Sequence, residues 1–249
     1  MTFDLRADTI HFEAFMGDSV EAYLAQPIAE GAIGSVVVIH HLPGYDEATK
    51  EMTRNFAAHG YNAICVNLYS RDAPGASCDD AAAIVRAQGG VPDERLVGDV
   101  GAAAEYLRAL PDSNSKVGVI GYCSGGRQSL LSACSLRFEA AVDCYGAFVV
   151  EDPPEGSGFK MKSIVPLLGG LSCPLLGLFG ADDQYPSPEQ TERLRVLLTG
   201  HEKTFTFREY VGAGHAFFNV DRPSFRPEVA AEAWGEIWTF FGEHLSQGR

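Results

Sequence analysis

Two periodicities alternate along the chain. Near the start, Ile10, Phe12 and Ala14 are separated by more polar neighbours, Gly17-Asp18 interrupts them, and Val20, Ala22 and Leu24 alternate again. That period of two predicts a pair of half-buried antiparallel strands. Residues 35–40 carry the run Val36-Val37-Val38-Ile39, the signature of a parallel strand covered on both faces, and Pro43-Gly44 ends it. Helical spacing follows over 47–59, with Met52 and Phe56 on one side and Gly60 as the residue past the cap. Further strands are predicted over 63–68, 117–121, 140–145, 174–179 and 204–211. Helices are predicted near 80–87 and over 94–110, 128–134 and 228–245. Another opens at Ser187-Pro188-Glu189-Gln190, with serine as N-cap, proline at the first position and glutamine at the third. Residues 151–171 are rich in proline and glycine, show little periodicity and read as a surface excursion at the rim of a site.

No repeat, low-complexity tract or linker divides the sequence, so one domain over 1–249 is expected. Strands alternating with helices predict an α/β fold, a mostly parallel central sheet with helices on both faces. Such sheets gather reactive residues at the carboxyl ends of their strands.

Composition narrows the partners. Of 249 residues, 46% are hydrophobic, enough for a large core, and the net charge is −14. No basic stripe offers itself to nucleic acid, and an anionic membrane surface would repel this chain. No apolar run approaches the roughly 20 residues of a membrane helix. The start, Met1-Thr2-Phe3-Asp4-Leu5-Arg6, lacks the basic and apolar regions of a signal peptide. Six cysteines occur, at 65, 78, 123, 134, 144 and 173, with no C-x-x-C pair. Cys65 and Cys144 lie in apolar runs and read as small core residues, and the usage fits a reducing cytoplasm.

The chemistry concentrates at Gly121-Tyr122-Cys123-Ser124-Gly125-Gly126, between a strand pattern and a helix pattern. This is the context of a nucleophile elbow, with cysteine where serine is commoner. A frame centred on Ser124 would need glycine at Tyr122, so the motif centres on Cys123. A thiol is mostly protonated at neutral pH and gains from a neighbouring base. Of the seven histidines, His215 lies in Gly212-Ala213-Gly214-His215-Ala216, directly after the last strand pattern. His201 sits in a polar turn, His59 ends a helix, and His11 and His244 have no supporting context. The orienting acid should follow the strand between elbow and histidine, and both Asp182 and Asp183 do. Cys…Asp…His is the chain order of α/β-hydrolases. That architecture takes its oxyanion donors from the residue after the nucleophile, Ser124, and from the loop His41-Leu42-Pro43-Gly44. Proline has no N–H, which leaves Leu42.

These stretches resemble the dienelactone hydrolase family. The likeness is carried by residues 65–75 (CVNLYSRDAPG), 116–126 (KVGVIGYCSGG), 179–183 (FGADD) and 210–217 (YVGAGHAF), and runs from about Val36 to the closing helix. The resemblance implies an α/β-hydrolase fold and assigns the acid to Asp183, three residues after Gly180. It implies a Cys123–His215–Asp183 triad acting through an acyl-thioester on a lactone or activated ester, with neither metal nor cofactor. Three departures stand out. The family often has a glutamate controlling the resting thiol where this chain has His41, so a site role is expected for His41. Its lactone hydrolases hold a substrate carboxylate with arginines, one of which is Asn219 here while the other corresponds to Arg86. The excursion at 151–171 is longer than usual, and Arg222 is a candidate substitute for the missing arginine. Tyr145 keeps the family's aromatic-glycine position and joins the substrate-binding candidates. His40 and His41 point to opposite sides in a strand and do not make a metal site. The expected partner is a small lactone or ester, and the protein is expected to be a monomer or small homo-oligomer. Two other readings use the same residues: a promiscuous esterase or hydrolase of another electrophile, and a non-enzymatic thiol sensor of oxidants or electrophiles.

Overall fold

The computed structural model describes residues 4–28 and 33–246, so residues 1–3 of the N-terminal reading lie outside the described residues. The opening alternation folds as β1 (Leu5–Glu13) and β2 (Ser19–Pro27), paired antiparallel from Leu5 opposite Pro27 to Glu13 opposite Ser19. Then come β3 (Ser35–Ile39), α1 (Glu47–Ala58), β4 (Asn62–Val66), α2 (Cys78–Gln88) and α3 (Asp93–Arg108). The second half holds β5 (Val117–Tyr122), α4 (Ser124–Ser135), β6 (Ala140–Cys144), β7 (Leu175–Gly180), α5 (Pro188–Gly200), β8 (Phe205–Tyr210) and α6 (Pro227–Leu245).

One eight-stranded sheet runs β1-β2-β4-β3-β5-β6-β7-β8. β2 is antiparallel to both its neighbours, and every pair from β4 to β8 is parallel. The apolar run of β3 has a simple cause. Val36 and Val38 face a core that also holds Phe56 of α1 and Ile237 and Phe241 of α6. Val37 and Ile39 face the opposite core, with Leu96 and Val100 of α3, Leu130 of α4 and Leu194 of α5. Both faces are dry, so the four positions from Val36 to Ile39 are all apolar.

Local signals act where the sequence places them. Gly60 follows α1 at φ +95°. Ser187 and Gln190 form a reciprocal capping box at the start of α5. The excursion leaves the sheet after β6 and is closed by Ile164 N–H donating to the Val149 carbonyl at 2.9 Å. Among the described residues no helix is long and apolar enough to cross a membrane.

Candidate active site

β5 and α4 are joined by one residue, Cys123, at φ 57° and ψ −120°. A side chain rarely adopts this left-handed backbone, and here it is forced by the tightness of the crossing. A Cβ on Gly121 would overlap the Gly125 backbone, and one on Gly125 would overlap the Ile39 carbonyl. The turn can be this sharp only because both positions are bare. It lifts the sulfur to the carboxyl edge of the sheet and aims the N-terminus of α4 at it, where a thiolate is favoured.

His215 arrives from the loop after β8 and Asp183 from the loop after β7. His215 Nδ1 donates to Asp183 Oδ2 at 2.9 Å, which turns Nε2 toward Cys123. Asp183 is buried, and its other oxygen accepts the Tyr185 N–H at 2.9 Å. Burial alone would raise the Cys123 thiol, but the hydrogen bond and charge of His215, with N–H donation from Ser124 and Leu42, hold it below its ordinary value. Burial likewise opposes charge on His215, and Asp183 and the Cys123 sulfur outweigh it, raising the imidazole to about 10. Each group thus favours the charged form of the other, the imidazolium lowering the thiol and the thiolate raising the imidazole. The Leu42 loop is fixed from behind by the Tyr69 hydroxyl, which donates to the Leu42 carbonyl at 2.9 Å.

Above the sulfur lies a cavity of about 520 Å³. Leu42, Val85, Val91, Phe148, Phe159 and Met161 line it with apolar atoms, and Tyr69, Arg127, Gln128, Asp182 and Gln184 add polar ones. Among the described residues no cluster of three or more His, Cys, Asp or Glu side chains is arranged to hold a metal ion.

The sequence model of the dienelactone hydrolase family matches residues 20–245. The chain belongs to this family. It is 29% identical over 228 residues to a Methylorubrum extorquens protein named "putative carboxymethylenebutenolidase", covering 90% of this chain and 77% of that one. It is 26% identical over 232 residues to a Bradyrhizobium protein named "probable 2-oxo-3-(5-oxofuran-2-ylidene)propanoate lactonase", covering 92% and 91% of the two chains. A Klebsiella pneumoniae crystal structure titled "putative dienelactone hydrolase" superposes with a TM-score of 0.85 at 26% identity, over 96% of this chain and 99% of that one. As a dienelactone hydrolase family member with this α/β architecture, the protein is a hydrolase of carboxylic ester or lactone bonds.

Within this family member the structure gathers Cys123, His215, Asp183, Leu42 and Ser124 at one point; both aspartates of the competing pair border the cavity, and Asp183 is the one bonded to His215. The other candidates fall elsewhere. His41 is captured by the Asp46 carboxylate, which also caps α1 by accepting the Thr49 N–H, so its ring is committed behind the Leu42 loop and does not line the cavity. Its neighbour His40 bonds the other way, between the His41 carbonyl and the Leu68 N–H. Asn219 is buried and accepts the Asp221 N–H at 3.1 Å, a turn-forming role that points it away from the cavity. Tyr145 is 1% exposed and lies beneath His215, edge to face at 5.2 Å, where it props the imidazole and does not line the cavity. Arg86 stands exposed on the last turn of α2, outside the lining, and Arg222 is exposed as well.

Sequence reasoning missed Tyr69, Arg127 and the aromatic wall. Tyr69 lay inside a stretch carrying the family likeness, which was a usable signal. Arg127 sits one helical turn past Cys123, and its importance comes from Asp93, which binds both of its terminal nitrogens at 2.9 and 2.8 Å. Nothing local in the sequence marks Phe148 or Phe159.

Proposed function

We propose that this protein opens a lactone or cleaves an activated ester with Cys123 as nucleophile, through an acyl-thioester. The observation carrying the proposal is that three donors converge on one sulfur: the His215 imidazole and the backbone N–H groups of Leu42 and Ser124. In the first half-reaction the thiolate electron pair forms the C–S bond while the carbonyl π pair moves onto oxygen. The two N–H groups that held the thiolate pass to that oxyanion as the negative charge migrates from sulfur to oxygen. Each such donor is worth about 3 kcal/mol to the transition state. Collapse expels the alkoxide, which takes the proton from His215 Nε2. In the second half-reaction the neutral His215 removes a proton from water, the hydroxide attacks the thioester, and the thiolate leaves. The products are acid and alcohol, and the ion pair is restored. Asp183 fixes the tautomer and steadies the imidazolium in both halves. Because all six cysteines are free thiols, we place the protein in a reducing cytoplasm.

Quenched incubation with p-nitrophenyl acetate, read by intact-protein mass, should show one acetyl group on Cys123 and none on a Cys123→Ala variant. Undiminished turnover by the alanine variant overturns the proposal. A peroxide-sensitive Cys123 without ester turnover would favour the thiol sensor.

A further inference from the structure

We infer that the substrate this site accepts is uncharged and apolar, and that Asp182 turns away a substrate bearing a carboxylate. The inference rests on the hydrolytic reading above and names its substrate class.

The wall of the cavity is built to exclude water. Phe148 packs against Phe159 with ring centres 6.2 Å apart and against Tyr185 at 5.7 Å, giving a continuous aromatic side. Phe148 holds a left-handed backbone, φ 61°, which a bulky side chain keeps only when its surroundings over-determine it. Phe159 and Met161 belong to the excursion, and three contacts pin that segment in place. Lys160 N–H donates to the Gly89 carbonyl at 3.0 Å, Arg127 Nη2 donates to the Lys162 carbonyl at 2.7 Å, and the Ile164–Val149 bond closes its base. The apolar surface is therefore fixed in position before a substrate arrives.

The charges point the same way. Among the described residues Arg127 is the one guanidinium in the lining, and it is 1% exposed with both terminal nitrogens on the Asp93 carboxylate. Its charge is already matched. Asp182 also lines the cavity, is exposed, and forms no ion pair among the described residues. Arg86 and Lys160 are exposed and stand outside the lining. Asn219, at a position where the family likeness anticipates a cation, is neutral and turned away. A carboxylate entering this space would shed its hydration onto aromatic carbon and face Asp182, while Arg86, whose charge reaches Tyr69, and Lys160 stay in solvent outside the lining.

The test compares two esters of equal chain length, p-nitrophenyl hexanoate and mono-p-nitrophenyl adipate, which differ by one terminal carboxylate. Each kcat/KM is divided by the ester's hydroxide-catalysed rate, at low ionic strength. Wild type should favour the hexanoate by about tenfold or more. Asp182→Asn should narrow the ratio several-fold by raising the adipate rate, and Phe159→Ala should narrow it by lowering the hexanoate rate. Thermal melts check that both variants fold. Equal or better use of the adipate by wild type overturns the inference, and an unchanged ratio in Asp182→Asn removes the part given to Asp182. An enzyme that depends on Cys123 and prefers the adipate refutes only this inference. Failure on both esters, or turnover surviving in Cys123→Ala, refutes the hydrolytic reading instead.

Discussion

Cys123, Asp183 and His215 stand at the carboxyl ends of β5, β7 and β8, and their positions are set by backbone: a steric crossing at Gly121 and Gly125, and buried hydrogen bonds at Asp183. Phe148, Phe159 and Met161, facing the same space, come from connecting segments after β6 and hold their places by side-chain packing and a few loop bonds. The first region has almost no freedom to vary, because moving it disturbs the sheet. The second can change residue by residue while the sheet stays intact. Floor and wall of the cavity are therefore physically separable, and changes in the two regions should have effects of different kinds.

The largest effects should come from the chemical groups themselves. Cys123→Ala and His215→Ala should each lower ester turnover by roughly 10⁴-fold or more with little change in melting temperature. A loss of only a few fold in steady-state assays would erase the distinction between the regions. Gly121→Ala probes the scaffold under those groups. It should cost about 3 kcal/mol of stability in denaturant unfolding, because backbone is what the new methyl meets and it cannot rotate aside.

Asp143 offers a third test, beneath the elbow on β6. Its Oδ1 accepts the Gly146 N–H at 2.7 Å, its Oδ2 has no partner among the described residues, and burial pushes its carboxyl up to about 7. The folded protein therefore holds this proton more tightly than the unfolded chain, so the residue's contribution to stability falls as pH rises from the ordinary carboxylate range to about 7 and stays low above it. Asp143→Asn removes that slope. Its melting temperature relative to wild type should be higher at pH 8 than at pH 4 by roughly 10 °C. An equal difference at both pH values would show that the carboxyl is ionised at no cost.

The ion pair can be read without substrate. Because His215 holds the thiol below its ordinary value, alkylation of Cys123 by iodoacetamide should rise with pH at a lower pH than an ordinary thiol does. In His215→Ala the rate should instead climb through the ordinary thiol range near ~8.5. The smallest effect belongs to the wall. Met161→Ala should change selectivity among neutral esters by about tenfold or less while leaving the thiolate absorbance intact. A lost thiolate signal in that variant would mean that wall and floor are coupled after all.

Much of this was legible in residue order. The elbow, the histidine between glycines and the acid after a strand are each short-range patterns, because one local turn or one strand end creates each of them. The choice of Asp183 over Asp182 needed the family likeness, since adjacent carboxylates on one loop look alike until it is known which faces the histidine. His41, Tyr145 and Asn219 were legible as special positions but not as to direction. His41 follows the end of β3, where strand alternation no longer dictates orientation, and Asp46 from the next helix captures it. Asn219 was drawn into its own turn, and Tyr145 went under the imidazole.

The sequence by itself determined the strand and helix order and marked Cys123, His215 and the Leu42 and Ser124 N–H groups as candidates, because these follow from periodicity, glycine placement and the missing N–H of Pro43. Only the tertiary structure decided what surrounds them. Arg127 finds Asp93 across 34 residues, and Phe148 meets Tyr185 across a longer stretch of chain. Such contacts depend on which loops a sheet edge brings together, and a one-dimensional pattern carries no record of that proximity.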